Sequence, residues 1–220
     1  MSKLPTFSFS KSAPATRGTM VFFVSEKGKL PSAANKWDND GRLTNAMKVA
    51  EFDGSHGSKV EVIAPAKGID RILIVGLGKI KDADEDAWLK IGGKIFASKG
   101  KSTTISIASQ LQGSAVLDGT VLAAIAGGAK LRAYSFDRYK TTKKEKPAAC
   151  KITFHTSAET AAKKAWKAMD GITDGVILAR DLVNEPANIL GPVEFAKKAA
   201  ELKKVGCSVE ILDEKKLKSE

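Results

Sequence analysis

The 220-residue sequence is poor in the residues from which most catalytic centres are built, with two histidines and two cysteines. Cys150 and Cys207 have no C-x-x-C spacing and no histidine pair nearby, so neither reads as part of a zinc or redox motif. Both lie in strand-like stretches and are expected as buried free thiols, which fits a reducing compartment. His56 and His155 are far apart in sequence, without an H-x-x-x-H partner or a G-x-S-x-G elbow, and read as ordinary polar histidines. Aromatic residues make up only 6%. Long apolar runs are also missing. The longest candidate, AVLDGTVLAAIAGGA, is interrupted by Asp118 and several glycines, whereas a membrane span needs roughly 18 apolar residues. The start, MSKLPTFSFSKSAPATRG, lacks an apolar core and a cleavage site, so no secretory signal is read and the cytoplasm is the expected location.

Charge, by contrast, is plentiful and of one sign: 36 lysines and arginines face 25 acidic residues, a net +11. The basic residues gather in KTTKKEK (140–146) and near the end, at Lys197, Lys198, Lys203, Lys204, Lys215, Lys216 and Lys218. Such a balance favours anionic partners. Neither cluster carries the interleaved aromatics of a single-strand binding platform, so a solvated face is the simpler account.

Short strand-like runs alternate with helical ones, the pattern of an α/β domain. TFSFS (6–10) and TMVFFVS (19–25) read as strands, followed by a helix from Arg42 to Phe52. KVEVIAP (59–65) alternates with period two. RILIVGLG (71–78) is continuously apolar, as expected of an interior strand buried on both faces. DADEDAWLKIGGKIFASKG has acidic residues in its first turn and a closing glycine, the signals of a helix that Gly92-Gly93 weakens in the middle. STTISIAS is a strand, 115–131 an Ala/Gly-rich helix packed closely against a neighbour, and AACKITFH (148–155) a last strand.

From Thr156 the pattern changes. Thr156 and Glu159 form an S/T-x-x-E capping box. Apolar residues then recur every three or four positions from Ala162 to Val183, and Pro186 stops them. A helix of about 28 residues would be about 42 Å long, the dimension of a bridge between domains. Beyond it, Pro192 opens another helix, Gly206 closes it, and CSVEIL (207–212) alternates as a strand. The expected division is therefore 1–156 for an α/β domain, 157–185 for a connecting helix and 186–220 for the truncated beginning of a second α/β domain. Since a strand without a sheet leaves its backbone unpaired, 187–220 should be either mobile or paired with another copy.

Two motifs invite a chemical reading. VGLGK (75–79) places two glycines after a strand, as a phosphate-cradling loop does, but the third glycine is missing and a tight turn explains both. The carboxylates of DADED (82–86) sit at a helix start, where the helix dipole accounts for them. No constellation for general acid/base work is found.

Three stretches carry a family resemblance: RILIVGLGK (71–79), YSFDRYKT (134–141) and above all ARDLVNEPANILGPVEFA (179–196). Together they resemble the leucyl aminopeptidases, cytosol aminopeptidases of the two-metal M17 type. The resemblance implies a macro-domain-like mixed sheet flanked by helices, joined by the long helix to a catalytic domain. For the full-length enzyme it also implies two divalent ions, manganese or zinc, peptide substrates and a homohexamer. Paired ions of this kind hold the substrate amine, polarise the scissile carbonyl and activate water. The family's Asn-Thr-Asp-Ala-Glu-Gly-Arg motif and its lysine, aspartate and glutamate ligands do not occur in residues 1–220. No catalytic residue, no cofactor-binding residue and no metal ligand is therefore assigned, and no cofactor is expected in this segment. The segment is expected to be inactive by itself and to serve assembly or regulation, with no membrane contact. The alternative is a basic DNA-binding module of a bacterial aminopeptidase relative; a nucleotide-type ligand module, which the macro-like topology and VGLGK would allow, is the other rival.

Overall fold

The computed structural model describes residues 4–14, 17–113, 115–141 and 148–219. The chain divides into two compact units, Met1–Asp174 and Gly175–Glu220. In the first, β2 (Gly18–Ser25) and β4 (Ile69–Gly78) form the apolar interior of a sheet, because neither has a face to offer water. Around them stand β1 (Thr6–Ser10), β3 (Lys59–Ala66), β5 (Thr104–Ala108) and β6 (Lys151–His155), giving the order β1-β6-β5-β2-β4-β3. Only β3 is antiparallel, along one edge. This is the mixed α/β architecture read from the sequence.

Alternation within β2 separates two cores. Val21 and Phe23 face one side, with Trp88, Ile91 and Ile95 of α2 (Glu85–Ala97), Leu122, Ile125 and Ala129 of α3 (Gly119–Ala133), and Ala162 and Met169 of α4 (Glu159–Asn184). Met20, Phe22 and Val24 face the other, with Ala34 of the 3₁₀ helix Ser32–Trp37 and Leu43 of α1 (Arg42–Val49). A parallel sheet requires such cover on both faces.

The Ala/Gly-rich helix finds its close neighbour in α2. A Cβ on Gly92 would fall 1.8 Å from the carbonyl oxygen of Ile125, and one on Gly128 1.8 Å from that of Leu89. The glycines that weaken α2 as an isolated helix are what let the two backbones touch.

Differences from the sequence reading cluster near the long helix and after it. The capping box closes on one side only: the Thr156 hydroxyl accepts from the Ala158 N–H at 3.0 Å, while the Thr156 N–H donates to the Ser10 carbonyl. Glu159 instead pairs with Lys163 at 2.5 Å. In the second unit, α5 (Pro192–Ala200) begins at Pro192 as expected and runs into a 3₁₀ turn, Glu201–Val205, closed by Gly206 at φ +90°. No strand forms at 207–212; the chain continues irregularly to the short α6 (Glu214–Leu217). A strand exists only by pairing, and residues 207–212 pair with none of the described strands. Cys150 is buried as expected, but Cys207 is exposed for the same reason.

Candidate functional site

In a doubly wound sheet, ligands settle beyond the carboxyl ends of the strands where the chain changes face. Here that point lies between β2, which continues into the Ser32–Trp37 turn on one face, and β5, which continues into α3 on the other. Two glutamine side chains bridge this crevice. Gln110 bridges to Val116, and its side-chain oxygen accepts from the Ala33 N–H at 3.0 Å and the Ser32 hydroxyl at 3.1 Å. The Gln112 side chain takes the Lys29 N–H at 2.9 Å. Two backbone donors at the crevice, those of Ala33 and Lys29, are thus spent on glutamines.

The glycines of VGLGK are likewise occupied. The Gly76 N–H donates to Ser58 at 2.9 Å and the Gly78 N–H to Gly54 at 2.8 Å, while Gly57 donates back to the Gly76 carbonyl at 2.8 Å. A Cβ on Gly76 would lie 2.2 Å from the Ser55 carbonyl oxygen, and Gly78 needs φ +67°. Both glycines serve the close approach of loop 54–58.

The remaining candidates have structural partners. His56 Nδ1 lies 3.3 Å from the Leu77 carbonyl. His155 Nδ1 donates to the Ser12 carbonyl at 2.8 Å, and burial pushes its pKa below the ordinary value although that bond favours the charged form. Burial also pushes the Cys150 thiol up, away from the reactive thiolate. In DADED, Asp84 caps α2 through the Ala87 N–H at 2.8 Å and Asp86 pairs with Lys90 at 2.5 Å. Among the lysines near the end, Lys198 pairs with Glu201 at 3.1 Å and Lys218 with Glu214 at 2.7 Å. Of the other lysine cluster, positions 142–147 lie outside the described residues. Nothing in this arrangement supports contact with DNA. Among the described residues, no three or more His, Cys, Asp and Glu side chains group so as to hold a metal ion. The described residues thus do not fit a pair of divalent ions.

Two charged networks escaped the sequence reading. Arg71 joins Glu61 at 2.9 Å and the Ser98 carbonyl at 2.6 Å, and Lys59 joins the same glutamate at 2.6 Å. Lys130, on α3, is buried and bonds to Asp170 and Asp174 on α4. The available signal was a lysine inside the small-residue run AGGAKLRA and two aspartates one turn apart.

Comparison with known proteins places this fold. Residues 20–143 match the family model for the N-terminal domain of the cytosol aminopeptidase family. The chain belongs to that family. It is 40% identical to a probable cytosol aminopeptidase of Brucella ovis, over 99% of this chain and 45% of the relative. With its counterpart in Rhizobium etli it shares 41% identity, over 96% of this chain and 43% of the relative. The chain therefore spans about half the length of these curated relatives. Among solved structures, a mutant of tomato leucine aminopeptidase superposes over the whole chain and 47% of its own, with a TM-score of 0.79 at 23% identity. The bottromycin maturation enzyme BotP in complex with Mn gives a TM-score of 0.63 at 22% identity, over 87% of this chain and 37% of its own. At these identities the likeness is one of fold. No helix among the described residues is long and apolar enough to cross a membrane.

Proposed function

We propose that residues 1–220 are the amino-terminal portion of a leucyl aminopeptidase, a two-metal exopeptidase that releases leucine and similar residues from peptide amino termini. The observation that carries this reading is the family match over 20–143, together with 40% identity to relatives about twice as long. In this account 1–156 is the N-terminal domain, 157–185 the connecting helix and 186–220 the start of the peptidase domain. The manganese or zinc ligands and the catalytic groups belong to sequence beyond Glu220, and the full-length enzyme is a cytoplasmic hexamer. The absence of a strand at 207–212 agrees with a segment whose sheet partners lie elsewhere. The present segment serves assembly or regulation.

The test is hydrolysis of leucine p-nitroanilide in the presence of manganese. The 220-residue chain should show no turnover. A chimera in which it replaces the corresponding half of the Brucella ovis relative should hydrolyse the substrate at a rate within about tenfold of that relative, a barrier change of about 1.4 kcal/mol. Turnover by the short chain that survives removal of contaminating peptidases contradicts the assignment of catalysis to the other half. A folded but inactive chimera contradicts the aminopeptidase reading itself.

A further inference from the structure

Lys130 stands in the buried stretch of α3 between Gly119 and Lys130, where the other residues are all Leu, Ile, Val, Thr, Ala or Gly. Its residue is only 5% exposed. A methionine would fill this space without the cost of removing an ammonium from water, so packing alone does not account for a lysine here. The three acceptors of that ammonium all belong to one element, α4. It donates to the Asp170 carboxylate at 2.5 Å, the Asp174 carboxylate at 2.6 Å and the Asp170 backbone carbonyl at 3.2 Å. The Trp166 ring centroid lies 5.8 Å away. Residues 166, 170 and 174 follow one another at intervals of four, a single stripe of α4.

The position along α4 matters as much as the chemistry. Up to this point the helix is held by packing: a Cβ on Gly119 would meet the Ala162 nitrogen at 2.5 Å, and Met169 fills the space over Gly127. Thr173 is the last buried residue of α4, and the first compact unit ends at Asp174. A Cβ on Gly171 or Gly175 would meet none of the described atoms within 4 Å, so a side chain at either position would add no packing contact to the helix there. We propose that Lys130 is a charge latch: with Asp170 and Asp174 it fixes the rotation and axial position of α4 at the end of its packed length. Apolar contacts tolerate sliding, whereas three directed bonds from one buried ammonium to two successive turns do not.

The aminopeptidase reading is not needed for this inference, which is tested on the 220-residue chain by amide exchange. Lys130→Met keeps the packing of the stem and removes the three donors. Exchange of the α4 amides at 166–178 should rise by about tenfold or more, while those of β2 and β4 keep their protection. The double variant Asp170→Asn, Asp174→Asn retains oxygen acceptors at a partly exposed and an exposed position and so folds; it should loosen the same stretch by a smaller factor. Unchanged exchange of α4 in both variants overturns the latch. An equal rise in helix and sheet overturns it as well, since Lys130 would then contribute only to global stability.

Discussion

Gly92, Gly93 and Gly128 illustrate how residues of one kind carry different weights. Gly92 and Gly128 sit where the backbones of α2 and α3 touch, whereas a Cβ on Gly93 would be 3.8 Å from its nearest neighbours. Gly92→Ala or Gly128→Ala must push the helices apart and should cost about 3 kcal/mol in urea denaturation, in the range of overpacked cores. Gly93→Ala should be neutral or stabilising by up to about 1 kcal/mol, since alanine favours the helix. Equal effects at Gly92 and Gly93 would show that helix propensity, and not close approach, decides. The sequence presents the pair simply as Gly-Gly, a weak point in a helix. Which glycine touches α3 depends on rotation about the α2 axis, which the packing of Trp88, Ile91 and Ile95 sets.

At the scale of the element, α3 shows how a helix start links to pH. The Asp118 carboxylate accepts from the Thr120 and Val121 N–H groups at 2.7 and 3.2 Å and from the Thr120 hydroxyl at 2.6 Å. These bonds, the Thr120 hydroxyl foremost, hold its carboxyl below the ordinary value of 3.8. A depressed folded-state pKa means that the unfolded chain binds its proton first, so this contribution is whole above the unfolded pKa and fades as pH falls through the folded one. Asp118→Ala should therefore cost about 1 kcal/mol at pH 7, as for other lost caps, with a smaller difference at pH 3. A gap between the two proteins that stays constant across that range would dissociate the cap from ionisation. Element identity was legible for β2, β4 and α3, whose patterns arise from burial within the chain. It was misleading at 207–212, where CSVEIL alternates like a strand and remains irregular, because alternation marks a capacity for pairing and pairing needs an edge.

At the scale of the whole molecule, the family relation and the bridged crevice bear on different questions. The fold places a ligand position between β2 and β5, and Gln110 and Gln112 occupy its backbone donors. Titration calorimetry with ADP-ribose should accordingly give no binding heat. A Kd tighter than about 1 mM, more than about 4 kcal/mol of binding, would mean that the glutamines yield to a phosphate. The net charge of +11 is the excess of lysines and arginines over carboxylates, to which ion pairs such as Lys198–Glu201 and Lys218–Glu214 add nothing. Of the candidate site, the bridging roles of Gln110 and Gln112 were not legible, because their partners Ser32, Ala33 and Lys29 lie far away in the chain. Lys130 with its two aspartates was not legible, because α3 and α4 are separated by β6 in the chain and their facing sides are known only once both pack on the sheet.

By itself the sequence determined the alternation of strands and helices, the long helix ending before Pro186, and the motif ARDLVNEPANILGPVEFA with its family resemblance. Such features are local: periodicity, caps and a contiguous motif need no knowledge of what lies opposite. Tertiary structure alone decided that Gly92 meets Ile125, that Gln110 bridges the crevice, that Lys130 holds α4 and that 207–212 stays unpaired. Each depends on a surface brought from a distant part of the chain, or on the lack of one.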